Sequence, residues 1–118
     1  MNAPIVISEH GDITILDTIE AAERYLEAPD VKNSEYEIFD SLGNVLCPRI
    51  EIVPGKRLFG LFGGSSKVVR ISASSTRACD KEGLRAMLVH FLRRSGSEFD
   101  TSEALPLSEL IAKARQSR

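Results

Sequence analysis

The chain has only two cysteines and two histidines in 118 residues, and this scarcity removes several chemistries. Cys47 and Cys79 form no CxxC pair and have no further Cys or His at the short spacings of a zinc site. The first residues show no basic stretch followed by an apolar core, so no secretory signal is read there. Two free, buried thiols are therefore expected rather than a disulfide, in a cytoplasmic protein. His10 and His90 lie far apart, and neither has a serine or cysteine beside it in a nucleophile motif. The expected roles are a turn residue before Gly11 and the flank of a helix beside Arg94. No apolar run approaches the roughly 20 residues of a spanning helix, so no membrane contact is expected. Gly60, Gly63 and Gly64 complete neither GxxxxGK[ST] nor GxGxxG, which leaves no phosphate loop. No catalytic residue, metal or cofactor is expected.

What is present is the material of one compact domain spanning residues 1–118. The chain is 42% hydrophobic and 27% charged, and its eight glycines and five prolines are ordinary counts. Those values exclude collagenous, low-complexity and wholly disordered chains. A net charge of −2 argues against a dedicated nucleic-acid binder, which needs a clustered basic surface. That total conceals an asymmetry. Met1 to Val53 carries eleven acidic and three basic residues, net −8, and the remainder is +6. Such a chain can steer a charged partner unless folding intermixes its halves.

The local pattern predicts strand, helix, strands, helix, helix. Ile5–Ile7 and Asp12–Leu16 are β-branched strands around a His10–Gly11 turn. Asp17 or Thr18 then caps a helix with Ile19, Ala22, Tyr25 and Leu26 on its buried face and Glu20, Glu23, Arg24 and Glu27 toward water. Pro29 ends it. A hairpin follows, from Glu35–Asp40 through a Ser41–Asn44 turn into Val45–Val53, with Pro48 marking a bulge or an edge position. After an ambiguous Lys56–Ser66, Lys67–Ser72 gives a further strand. Asp80 caps a helix running to about Arg94, whose Leu84, Met87, Leu88, Phe91 and Leu92 form an apolar stripe. Leu107–Ala114 makes a short last helix, and Gln116–Arg118 fray. The expected fold is α+β: a mainly antiparallel sheet, with a meander of three or more strands and two to three helices covering one face.

Two features offer a surface for a partner. The carboxylates Glu23, Glu27, Asp30, Glu35, Glu37 and Asp40 would converge on one rim if the first helix packs beside the Glu35–Asp40 strand. Such a rim suits a basic groove; plain solvation of these side chains is the competing explanation. In Leu58-Phe59-Gly60-Leu61-Phe62-Gly63-Gly64 four large apolar residues are interrupted by glycines. Either they enter the core from a hairpin arm, or Phe59 and Phe62 join an exposed patch used for a partner or a second subunit.

The words Ile13–Leu16, Ile19-Glu20-Ala21-Ala22-Glu23-Arg24-Tyr25-Leu26-Glu27, Asp30–Tyr36 and Phe39-Asp40-Ser41-Leu42-Gly43 resemble those of small bacterial immunity proteins, which accompany contact-dependent growth inhibition and related polymorphic toxins. The resemblance covers about the first half of the chain. It implies a cytoplasmic, non-enzymatic protein, monomeric or weakly dimeric, that binds a cognate toxin domain, often a basic nuclease, and occludes its active site. A specialised secretion chaperone or assembly adaptor, also small, acidic and α+β, is the alternative.

Overall fold

The computed structural model describes residues 1–27, 31, 36–54, 65–74, 79–94 and 105–116, apart from the side chains of residues 53, 54, 65 and 66. Strands β1 (Ile5–Glu9) and β2 (Asp12–Leu16) form a tight hairpin, with Ile5 opposite Leu16 and Glu9 opposite Asp12. Helix α1 (Ile19–Tyr25) follows. Strands β3 (Tyr36–Phe39), β4 (Val45–Pro54) and β5 (Ser65–Ala73) come next, and then helices α2 (Lys81–Arg94) and α3 (Leu107–Gln116). The five strands are antiparallel in the order β2-β1-β3-β4-β5, so β3, β4 and β5 form the expected meander and β3 docks on β1. The fold is α+β, with α1, α2 and α3 packed on the sheet among the described residues.

The helices do not all lie on one face, contrary to expectation. Side chains alternate across a strand, and here both sets are apolar. Ile5, Ile7, Ile38, Leu46, Val69 and Ile71 face one way and form a core with Ala22 and Leu26 of α1. Val6, Ile13, Phe39 and Val45 face the other way, beneath Leu84, Leu88, Phe91 and Leu92 of α2 and Leu110, Ile111 and Ala114 of α3. Neighbouring residues such as Ile5 and Val6, or Ile38 and Phe39, thus enter different cores. A continuous apolar run signals a strand buried on both sides, and Ile5-Val6-Ile7 is such a run.

The caps follow the sequence closely. Thr18, rather than Asp17, caps α1: its Oγ1 accepts the Ala21 N–H at 3.0 Å, as an N-cap hydroxyl does. Asp17 instead pairs with Arg115 of α3 at 2.8 Å. Tyr25, expected inside, is exposed, with its hydroxyl 3.2 Å from Thr14 Oγ1. Asp80 caps α2 through the Gly83 N–H at 2.9 Å. Gln116 is the last residue of α3, and Ser117 and Arg118 lie outside the described residues. Pro29 and Gly96 lie outside the described residues.

Pro48 proves informative. Among the described residues, β3 pairs with β4 at Phe39–Val45 and Ile38–Leu46, whereas β5 pairs with β4 from Leu46 to Pro54. Beyond Leu46 the two strands therefore continue as a two-stranded arm. At about 3.3 Å per residue the eight pairs from Cys47 to Pro54 extend some 23 Å. Pro48, which has no N–H to donate, stands where the β3 ladder has already ended.

Candidate functional site

The edge of the sheet at β5 carries the most structured surface feature. The ladder alternates, so the Ser74 N–H turns inward to Val45 O at 3.1 Å, and odd-numbered residues of β5 send their N–H groups outward. The outward N–H of Ile71 is met by Glu23 of α1, whose Oε2 accepts it at 2.7 Å. Glu23 Oε1 also lies 3.9 Å from Arg70 Nη1, and Glu51 stands between Arg70 (3.9 Å) and Arg49 (3.7 Å). Carboxylates of the acidic N-terminal half thus flank the Arg70 guanidinium of the basic half. Folding intermixes the two charge blocks at this point, and again at Asp17 and Arg115.

Next to this contact, α1 and β5 enclose an open groove of about 370 Å³ lined by Glu20, Glu23, Arg24 and Leu26 on one wall and Lys67–Arg70 on the other. Leu26 and Val69 are buried apolar residues, while Glu20, Arg24 and Lys67 are exposed. Beside it on β4, Ile50 and Ile52 share the face of Val69 and stand 36% and 65% exposed. They form an uncovered apolar stripe on the arm.

The structure distributes the predicted docking residues differently from the expected rim. Glu27 is exposed just past α1. Glu23 is half-buried and engaged with Ile71 and Arg70. Glu37 is exposed, but it alternates with Ile38 and so lies on the α2–α3 face, opposite α1. Asp40 is fully buried and belongs to no docking surface. Its Oδ1 accepts the N–H groups of Leu42 (3.0 Å) and Asn44 (2.9 Å), and its Oδ2 accepts Asn44 Nδ2 (2.9 Å) and the Asn2 N–H (3.2 Å). Burial pushes the Asp40 carboxyl up, but these hydrogen bonds, Asn44's foremost, outweigh it and hold the group below the usual aspartate value. The residue organises the β3–β4 turn and pins the N-terminal segment. Asp30, Glu35, Phe59 and Phe62 lie outside the described residues.

The rim fails because Glu37 lies on the face of β3 opposite α1 and Asp40 is buried in the turn, while Ile38 between them packs in the α1 core. No period in the sequence reports which strand a helix will cross. The Glu23–Ile71 contact, 48 residues apart, was equally invisible; its only local trace is a carboxylate next to the buried Ala22 on α1.

Comparison with known proteins gives no match. No family model, curated protein or solved structure matches this chain.

Other candidate chemistry is quickly described. His10 sits at φ +52° in the β1–β2 turn, as its place before Gly11 suggested, and His90 is exposed on α2. Cys47 and Cys79 are free, as expected, but exposed rather than buried. Cys47 alternates with Leu46 and so faces away from the α1 core, on a stretch of β4 where the α2–α3 core ends at Val45. Among the described residues no group of three His, Cys, Asp or Glu side chains is placed to hold a metal ion. No helix among them is long and apolar enough to cross a membrane.

Proposed function

We propose that this chain is an immunity protein that binds and neutralises a cognate toxin domain in the cytoplasm, and that the outer side of α1 docks on the toxin. The observation carrying this reading is the pair of exposed carboxylates Glu20 and Glu27, which have no ion-pair partner among the described residues. Carboxylates already tied to arginines, such as Glu23 and Glu51, have less to offer a basic partner; unpaired ones keep their full charge for an incoming groove. The resemblance of the α1 segment to immunity proteins supports the immunity reading itself and assigns no surface to it. Neutralisation by occlusion asks no catalysis of the binding protein.

The test is co-expression with the C-terminal domain of a toxin-like gene adjacent to this one, scored by survival and co-purification. Survival with a stable complex, and a loss of affinity of about tenfold or more in Glu27→Lys, is expected; each tenfold corresponds to about 1.4 kcal/mol. Unchanged affinity in that variant removes α1 as the docking side. Death without a complex removes the immunity reading in favour of the chaperone or adaptor.

A further inference from the structure

We infer that the open edge of β5 is a self-association site at which a second copy of this chain adds its own β5 antiparallel, joining two five-stranded sheets into one. The inference does not rest on the toxin-binding reading, although Glu20 figures in both.

Three observations carry it. The first is the edge itself. β5 is the end strand of the sheet, its outward amides at Lys67 and Val69 meet no strand among the described residues, and only Ile71 is capped, by Glu23. An uncapped edge beside exposed Ile50 and Ile52 is a template for another strand. The second is register. A two-fold pairing centred on Val68 sets Lys67 opposite the second copy's Val69, which yields two outward-facing hydrogen-bonded pairs; Ser65 of the second copy then falls opposite Ile71, whose outward N–H is held by Glu23, so the pairing ends at those two pairs. A centre at Lys67 would oppose two ammonium groups, and a centre at Val69 leaves only the Val69–Val69 pair clear of the capped Ile71 N–H. Of these three, the Val68 centre keeps two free pairs without opposing like charges.

The third is charge complementarity. Glu20 and Lys67 line the same groove, both are exposed, and neither has an ion-pair partner among the described residues. In the Val68-centred pairing, Lys67 lies beside the second copy's Val69, on the face where the second copy's α1 and its Glu20 sit. The mixed charge of one groove becomes two opposite-charge contacts related by the two-fold. The same step brings the second copy's α1 toward Ile52, the cross-strand neighbour of Lys67.

Sedimentation equilibrium on the full chain tests this directly. The wild type is expected to show a reversible monomer–dimer equilibrium; a strict monomer up to about 1 mM, where only interactions weaker than about −4 kcal/mol escape detection, overturns the proposal. Glu20→Lys alone and Lys67→Glu alone each place like charges together and are expected to weaken dimerisation at least tenfold while circular dichroism stays native. Mixed one to one, the two variants are expected to pair with each other, because every contact is then Lys against Glu. Dimerisation unaffected by either variant, or no recovery in the mixture, overturns the register and with it the site.

Discussion

Glu23 on α1 accepts the backbone N–H of Ile71, on the terminal strand of the sheet, at 2.7 Å. One side chain thereby fastens the first helix to the last strand and closes one rung of an edge that the sheet leaves open. A carboxylate is well suited to the task, since a charged acceptor makes a stronger bond to an amide than a neutral one.

Glu23→Ala is expected to cost about 1.5–3 kcal/mol, the range for a hydrogen bond to a charged group, measured as a lower urea midpoint with an unchanged slope. Glu23→Gln keeps an acceptor and loses less. A neutral Glu23→Ala variant would show that the Ile71 amide is equally well served by water.

Asp40 makes stability depend on acid. Its carboxyl titrates below the usual aspartate value in the folded chain, so its contribution is fully present above the unfolded value of about 3.9 and is lost as the pH falls through the lower folded value. Urea midpoints measured from pH 7 down to pH 2 should fall most steeply below about pH 4. Asp40→Asn should be less stable at pH 7 and should flatten that acid limb, because an amide places N–H donors toward the backbone N–H groups that the carboxylate accepts. An acid limb of wild-type steepness in Asp40→Asn would assign it to other carboxylates.

Gly43 is fixed by two constraints at once. Its φ is +87°, and a Cβ there would come 2.9 Å from the Lys81 Cα, where α2 begins. Its carbonyl also accepts the Asp80 N–H at 2.8 Å. Gly43→Ala is expected to cost at least about 2 kcal/mol, from left-handed strain plus displacement of the α2 start, and to appear as a drop in Tm. A substitution within about 0.5 kcal/mol of wild type, as at an ordinary surface position, would show that the turn relaxes freely.

Much of the local structure was legible because it depends on neighbours in the chain. The β-branched run Ile5-Val6-Ile7, the Thr18 and Asp80 caps, the Leu84–Leu92 stripe and the turn before Val45 each act over a few residues, and each stands where the sequence predicts it. The docking residues fared otherwise. Asp40 reads as one more acidic strand residue, yet Asn2, Leu42 and Asn44 converge on it only once the N-terminal segment is laid against the turn. Cys47 reads as a small apolar residue, and only the limit of the α2–α3 core leaves it exposed.

By itself, the sequence determined the succession of strands and helices, the α+β class and the separation of charge along the chain, since periodicity and capping are local properties of a polypeptide. Only the tertiary structure decided that α1 lies on one face of the sheet and α2 and α3 on the other, that Glu23 reaches Ile71 across 48 residues, and that Glu37 faces away from Glu23. Those outcomes follow from which strand borders which and on which side each helix crosses. Burial of two apolar faces at once settles that arrangement, and no short stretch of residues encodes it.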